Sequence, residues 1–465
     1  MRICIIRTKV CHLSTTTEPY KVVRVPPPRD LLADVDARRV ALAGCAGLLL
    51  TVPVIAHDSL NGRLAYGWVA VAAGLAVAVV ALRNATRPSR RIALLATAVC
   101  AAVALSTLVI LATTLASPTP NLRCRDDVAA ASFGGADQLR AGHDPYNTYD
   151  SLNVEQSYGC HNPAVTILRR GRFAGYDSIP PESQVRQAVA DAIRDPSRPE
   201  VERKLNYPAG TILLGLVGPR AFPPLMAALL VAAVVAVTRQ ATADRRIAAL
   251  ALTAQAGLLS LVPDGHTDAA VIALLLVAWA RPATLLGGLA LGLACGTKQT
   301  AWFLAPALLA TVQARGGPRA LLRTTLATVA GFALLNLPFI AMDPAAWIHG
   351  VMGPLVDGLF PLGAGLIGLV TAGTVPVSAT PVFSGLMLAC VATSVLAALR
   401  WDRALPGIGA LLGAMALFLG PRSLLEYIAG WGALLVCVVA TAPRSRQERQ
   451  KREALPSSTP AAATA

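Results

Sequence analysis

The sequence predicts an all-α polytopic membrane protein with roughly 12 transmembrane helices, and three observations carry that expectation. Hydrophobic residues make up 54% of the 465 and charged residues only 14%, against roughly 25% charged in a soluble domain. Mean hydropathy is +0.55. The apolar residues gather in long runs, and arginines fill the short gaps between them. A net charge of +15 would also suit a nucleic-acid binder, but the basic residues sit in those gaps and in the tail RSRQERQKR, Arg444 to Arg452. That pattern orients helices in a bilayer, so no nucleic-acid partner is expected.

Residues 1–39 contain only a four-residue apolar run, too short for a secretory core, and read as a disordered cytoplasmic arm. The transmembrane domain then occupies 40–442. A span needs roughly 20 apolar residues, and the candidates are 40–57, 65–82, 92–116, 221–238, 247–262, 268–280, 283–296, 300–313, 321–341, 379–399, 404–420 and 427–442. With the amino terminus inside, the inner loops 83–91, 239–246, 280–282, 313–323 and 400–403 are all basic, and so is the disordered tail 443–465. The expected location is therefore the plasma membrane, multi-pass, with both termini cytoplasmic.

On the outer side one large loop, 117–220, is followed by PDGHTD (263–268), GTKQ (296–299), 342–358 and GPRSLLEY (420–427). This parity requires that TILLGLVG (211–218) and 359–373 do not span; short and broken by Gly or Pro, they suit re-entrant segments over a cavity. Within the large loop, GHDPYNTYD predicts a turn and PESQVRQAVADAIRD (181–195) a helix behind its two prolines. Seven of the nine cysteines lie in the arm or in apolar runs and read as small hydrophobes. Cys124 and Cys160 share the polar loop, where an oxidising compartment would permit a bridge.

Ionisable groups at membrane depth are costly and invite a functional reading. Lys298 is the sole charge between Ala283 and Val312, and the chain has only five lysines. Placed at the outer junction of two short helices, it either grips an anionic ligand or snorkels to water. Asp126, Asp127, Asp137 and Asp144 offer a base in the large loop, with Asp144 before Pro145 also an ordinary turn former. In PDGHTD, Asp264, His266 and Asp268 alternate, so an extended loop would turn all three to one side. They could then hold a divalent cation, or form a solvated turn with Asp268 capping the next helix. No other cofactor is called for. Asp343, His349 and Asp357 are weaker candidates. Arg422 could clasp a phosphate or pair with Glu426 four residues on.

Several of these stretches resemble glycosyltransferase family 87 and related polyprenyl-phosphate-sugar-dependent enzymes of the GT-C class. RAGHDPYNTY is similar to that family's Gly-x-x-Pro-Tyr element, LNYPAGTILL (205–214) to its Tyr-Pro-Pro element, and GTKQTAWFLAPALL (296–309) to its lysine-bearing helix entry. NLPFIAMDPAAWIHGVMGPL (336–355) and PLGAGL (361–366) are similar to stretches of such sugar transferases. The resemblance runs from about residue 92 to 430. It departs at Ala209, where the family has a second proline, at the AAAS following the acidic pair, and in the hairpin 40–82, which precedes the matching span.

The resemblance implies a GT-C-like fold and a lipid-phosphate sugar donor. It implies Asp127 as the base, fifteen positions before Gly142, with Asp126 next. Lys298 and then Arg422 become candidates for the donor phosphate, and Asp144, Tyr146, Tyr207, His266, Asp268 and Gln299 for substrate contacts. The function expected is transfer of a sugar to a lipid or glycan acceptor at the outer face, with inversion. Alanine richness and the arginine bias suggest a GC-rich bacterial genome, where mannosyltransferase or arabinosyltransferase activity in cell-envelope assembly would fit. The rival class is a polytopic transporter or lipid-linked sugar flippase, which should show mid-membrane charge and often an internal repeat.

Overall fold

The structure is a computed structural model, and it describes residues 127–158, 168–169, 171–173, 176, 180–198, 200–238, 266–356, 359–363, 367, 379–403, 407–424 and 427. The expected spans 40–57, 65–82, 92–116 and 247–262 lie outside the described residues, as do all of 427–442 but Tyr427, the arm, the tail, Asp126, Asp264, Asp357, Glu426, Cys124 and Cys160.

The described chain is mostly helical. In order come α1 Asp127–Arg140, α2 Pro145–Thr148, α3 Ser151–Ser157, α4 Glu182–Arg194, α5 Ala209–Gly215 and α6 Phe222–Thr238. After these follow α7 Asp268–Ala280, α8 Leu285–Cys295, α9 Thr300–Met342, α10 Pro344–Val356, α11 Ala379–Trp401 and α12 Ile408–Leu419. Two short strands, β1 Leu362–Gly363 and β2 Arg422–Ser423, pair in parallel.

The expected helix at 181–195 is α4. Glu182 stands in its first turn and Arg194 in its last, both complementing the helix dipole. Val185, Ala188 and Ala192 form its buried stripe at helical spacing. The segment expected to be re-entrant, 211–218, contributes to α5, whose seven residues rise only about 10 Å.

α9 is not one rod. A straight helix from Thr300 to Asn336 would be about 54 Å long, yet the Asn336 amide donates to the Gly296 carbonyl at 3.1 Å. The reversal is at Gly317, whose φ of 73° and ψ of −173° leave the helical region. A residue with a side chain rarely adopts that φ. The two arms, 300–316 and 318–342, cover the expected apolar segments 300–313 and 321–341, and the reversal falls in the expected basic turn.

α8 lies beside the second arm with the same chain direction. A Cβ on Gly292 would stand 2.1 Å from the Thr328 carbonyl oxygen, and one on Gly288 2.6 Å from that of Thr324. The backbones therefore touch, as small residues permit between apolar helices. The first arm runs back antiparallel: Trp302 Nε1 donates to the Cys295 carbonyl at 2.8 Å, and Gly316 lies beside Ala283. Leu276, Leu291, Leu308 and Val312 meet in the core between these helices.

Two runs, Thr300–Met342 and Pro381–Trp401, are long and apolar enough to cross a membrane by length and composition. α6, α7, α8 and α12 are apolar but shorter.

The ends of the bundle differ in character. At one end the turns 281–284 and 316–318 converge with residues 402–403: Arg323 donates to Ala283, Arg403 to Ala314, and Arg315 pairs with buried Asp402. At the other end α1, α2, α5 and α10 form a cap over a second core of Tyr146, Leu205, Ile212 and Val351.

Candidate functional site

The capped end gathers residues far apart in sequence around the turn between α8 and α9. Segment 206–211 is clamped to that turn. Gly210 N–H donates to the Gly296 carbonyl at 2.9 Å, Thr211 Oγ1 to the Thr297 carbonyl at 2.6 Å, and Gln299 Nε2 to the Asn206 carbonyl at 2.6 Å. A Cβ at position 210 would lie 2.4 Å from Thr297 Oγ1, so only glycine allows this approach. Asn336 completes the clamp, accepting from Ala209 N–H at 2.9 Å while donating to Gly296.

The clamp places Tyr207 between two candidates. Its hydroxyl donates to Asp127 Oδ2 at 2.8 Å, and its ring lies beneath the Lys298 ammonium, 5.6 Å from nitrogen to centroid. Tyr427 presents a second ring to the same ammonium at 5.5 Å. Rings at this range attract a cation through their quadrupoles. Asp127 opens α1, where a carboxylate also favours the helix dipole.

Lys298 is 2% exposed. The structure corrects the expectation of a lysine at the water's edge: it does not snorkel. Its ammonium donates to Asp268 Oδ2 at 2.5 Å, and Asp268 is itself buried. His266 Nδ1 is 3.7 Å from the same oxygen. Asp268 is corrected as well, because the residue at the cap of α7 is Thr267 while the Asp268 carboxylate turns to Lys298. Desolvating two charges costs several kcal/mol per ion, repaid only in good geometry, so the pair holds α7 to the α8–α9 turn.

The remaining candidates divide. Asp144 caps α2, accepting from Tyr146 N–H at 3.0 Å, the turn-forming use. Tyr146 is buried and donates to the Tyr207 carbonyl at 2.8 Å. Burial pushes its phenol well above the ordinary value, so it stays neutral. Gln299 is buried and directed at two backbone carbonyls, Asn206 and Val351. These three position the site's backbone. Asp343 joins the cap through Asn147, whose amide donates to Asp144 at 2.8 Å and to Asp343 at 3.0 Å.

Arg422 lies on β2 beyond α12, its strand paired with Leu362. No group of three or more metal-ligating side chains occurs among the described residues, and the cation considered at 264–268 rests there on His266 and Asp268 alone.

Two contributors went unremarked in the sequence. Asn336 is the single amide in an apolar run, which is a legible signal. Tyr427 carries none, since an aromatic at the end of an apolar segment is ordinary. No protein-family model, curated protein or solved structure matches the chain.

Proposed function

We propose that the chain is a polytopic membrane glycosyltransferase that moves a sugar from a polyprenyl phosphate to a lipid or glycan acceptor at the outer membrane face. One observation supports the reading above the others: Tyr207 touches Asp127 with its hydroxyl and Lys298 with its ring. A carboxylate and a cation held by one side chain are the two charges this reaction needs. The arginine-rich turns at the opposite end agree with that end facing the cytoplasm.

In the proposed reaction the acceptor hydroxyl oxygen attacks the anomeric carbon from the face opposite the phosphate. The new C–O bond forms as the bond to the phosphate oxygen breaks, inverting the centre. Asp127 takes the hydroxyl proton, a step typically worth about 10² to 10⁴ in rate. The departing phosphate gains charge, which a preorganised cation stabilises. Lys298 supplies that cation, held between two rings, with Asp268 and His266 fixing its position. Arg422, at the same end of the bundle, is the second candidate for the phosphate.

Washed membranes supplied with radiolabelled polyprenyl-phosphate sugars test the proposal. Asp127→Asn is expected to abolish transfer while the protein remains in the membrane at normal abundance; full activity would overturn the assignment. A second reading, an ion-coupled transporter or flippase, draws support from the buried Lys298, Asp268 and His266 chain, since such groups also serve as proton relays. It predicts no sugar transfer by wild-type membranes, and transport that is sensitive to Asp268→Asn and indifferent to Asp127→Asn.

A further inference from the structure

At the basic end of the bundle, α8 and the second arm of α9 leave a groove of about 500 Å³ between them. Its walls are Leu285 and Leu289 from α8 and Leu322 and Leu326 from α9, and all four are exposed. Arg319, Arg323, Ala327 and Ala330 complete the lining. The two arginines come from the first two turns after Gly317, so both guanidinium groups belong to the basic end of the groove. Arg323 is fixed by its hydrogen bond to the Ala283 carbonyl at 2.9 Å. Among the described residues neither arginine is paired with a carboxylate, whereas Arg315, on the other side of the Gly317 reversal, is paired with Asp402.

We propose that this groove binds an anionic phospholipid of the cytoplasmic leaflet, with the phosphate against Arg319 and Arg323 and an acyl chain along the four leucines. The charge pattern selects the ligand. An apolar trough ending in two cations complements a molecule with a hydrocarbon body and an anionic head. The volume lies within the roughly 300 to 1,000 Å³ of small-molecule sites, and an amphiphile fills it better than a protein surface, which would need about 800 Å² per partner. The groove also straddles the contact where Gly288 and Gly292 meet the backbone of α9, so a bound lipid braces that packing.

The inference rests on the membrane part of the proposed function and not on sugar transfer; a chain inactive on every sugar donor leaves it intact. The full chain, purified in detergent, is titrated with phosphatidylglycerol or phosphatidylcholine and the bound lipid counted by native mass spectrometry. The wild type is expected to prefer phosphatidylglycerol. Arg319→Gln with Arg323→Gln should weaken that lipid by about 30-fold, each cation near a membrane surface contributing about fivefold. Leu289→Trp with Leu326→Trp, which fills the trough and keeps both charges, should lower binding of both lipids. Arg186→Gln, on α4 in the cap, should change nothing. Equal retention of the two lipids by the wild type, unchanged preference in the double arginine variant, or displacement of phosphatidylglycerol by millimolar inorganic phosphate would each overturn the proposal.

Discussion

The pair formed by Lys298 and Asp268 permits a test that separates holding from chemistry. Lys298 is 2% exposed and its nitrogen is 2.5 Å from the Asp268 carboxylate. Lys298→Met keeps the length of the side chain and removes the charge, leaving a carboxylate buried beside His266 and without its nearest cation. Breaking a buried pair by removing one partner costs about 3 to 5 kcal/mol. At about 1.4 kcal/mol per tenfold, that is roughly two to three and a half orders of magnitude in the unfolding equilibrium. Asp268→Leu should cost a similar amount by stranding the ammonium, even with the two tyrosine rings in place. The double variant Lys298→Met/Asp268→Leu removes both desolvation penalties, and apolar replacement of a buried pair is often neutral or stabilising. Its stability should therefore return to within about 1 kcal/mol of wild type, the cycle revealing a coupling near the sum of the two single-variant costs. With the other eight cysteines replaced by alanine, thermal unfolding in detergent can be followed through the buried Cys295 thiol, which reacts with a fluorogenic maleimide as the α8–α9 turn opens. Additive losses in the double variant would refute the pairing. Recovered stability together with recovered sugar transfer would refute the role proposed for the lysine.

Other predictions follow from the same contacts. Tyr207→Phe keeps the ring under Lys298 and deletes the bond to Asp127; turnover should fall by up to about 10²-fold from misplacement of the base, with stability down by only about 0.5 to 1.5 kcal/mol, measured by initial rates and unfolding. Asn336→Leu strands Ala209 N–H and part of the Gly296 carbonyl, at about 1 to 3 kcal/mol for each buried group left without a partner, and membrane abundance and unfolding temperature should both drop. Gly292→Leu drives a side chain into the Thr328 carbonyl and should separate α8 from α9, costing at least the roughly 1 to 3 kcal/mol of an overpacked core, read as loss of folded protein. Hydrogen bonds from Ala346 N–H and the Asn147 amide hold the Asp343 carboxyl below its ordinary value. A lowered folded-state pKa stabilises above the unfolded-state value, and the gain is lost as pH falls through the folded one. The stability gap between wild type and Asp343→Ala should accordingly be constant near neutrality and close below about pH 4, in unfolding measured against pH.

Much of the described architecture was legible because it depends on local rules. The proline pair and dipole-matched charges announce α4, and the arginines of 313–323 announce the hairpin turn that Gly317 makes. The grouping of Asp127, His266, Lys298 and Asp343 at one end follows from counting spans between basic loops. The partnerships within that group were not legible. Asp268 lies thirty residues from Lys298 and Tyr207 eighty from Asp127, and nothing in either stretch says which carboxylate meets which cation; α5 and the Asn336 amide decide it. The burial of Lys298 is hidden from the sequence for a related reason. Spacing along the chain places it at a helix junction, where water is near, but α7 and segment 206–211 close over that junction from elsewhere in the sequence. Tyr146 and Gln299 stand beside the right residues and serve the backbone, a distinction that only geometry makes.

The clamp at Gly210 has a consequence for tolerance. Tyr207 precedes it by three residues and Lys298 follows its other jaw, Gly296, by two, so both groups are located from the same joint, whatever the rest of the bundle does. A helix that tilts or slides elsewhere carries the whole joint along and leaves the separation of ring and ammonium nearly fixed. Errors from distant parts of the chain therefore do not accumulate at the site, much as two holes drilled from one reference edge stay in register when the plate is moved. A single methyl group at position 210 would divide that reference into two.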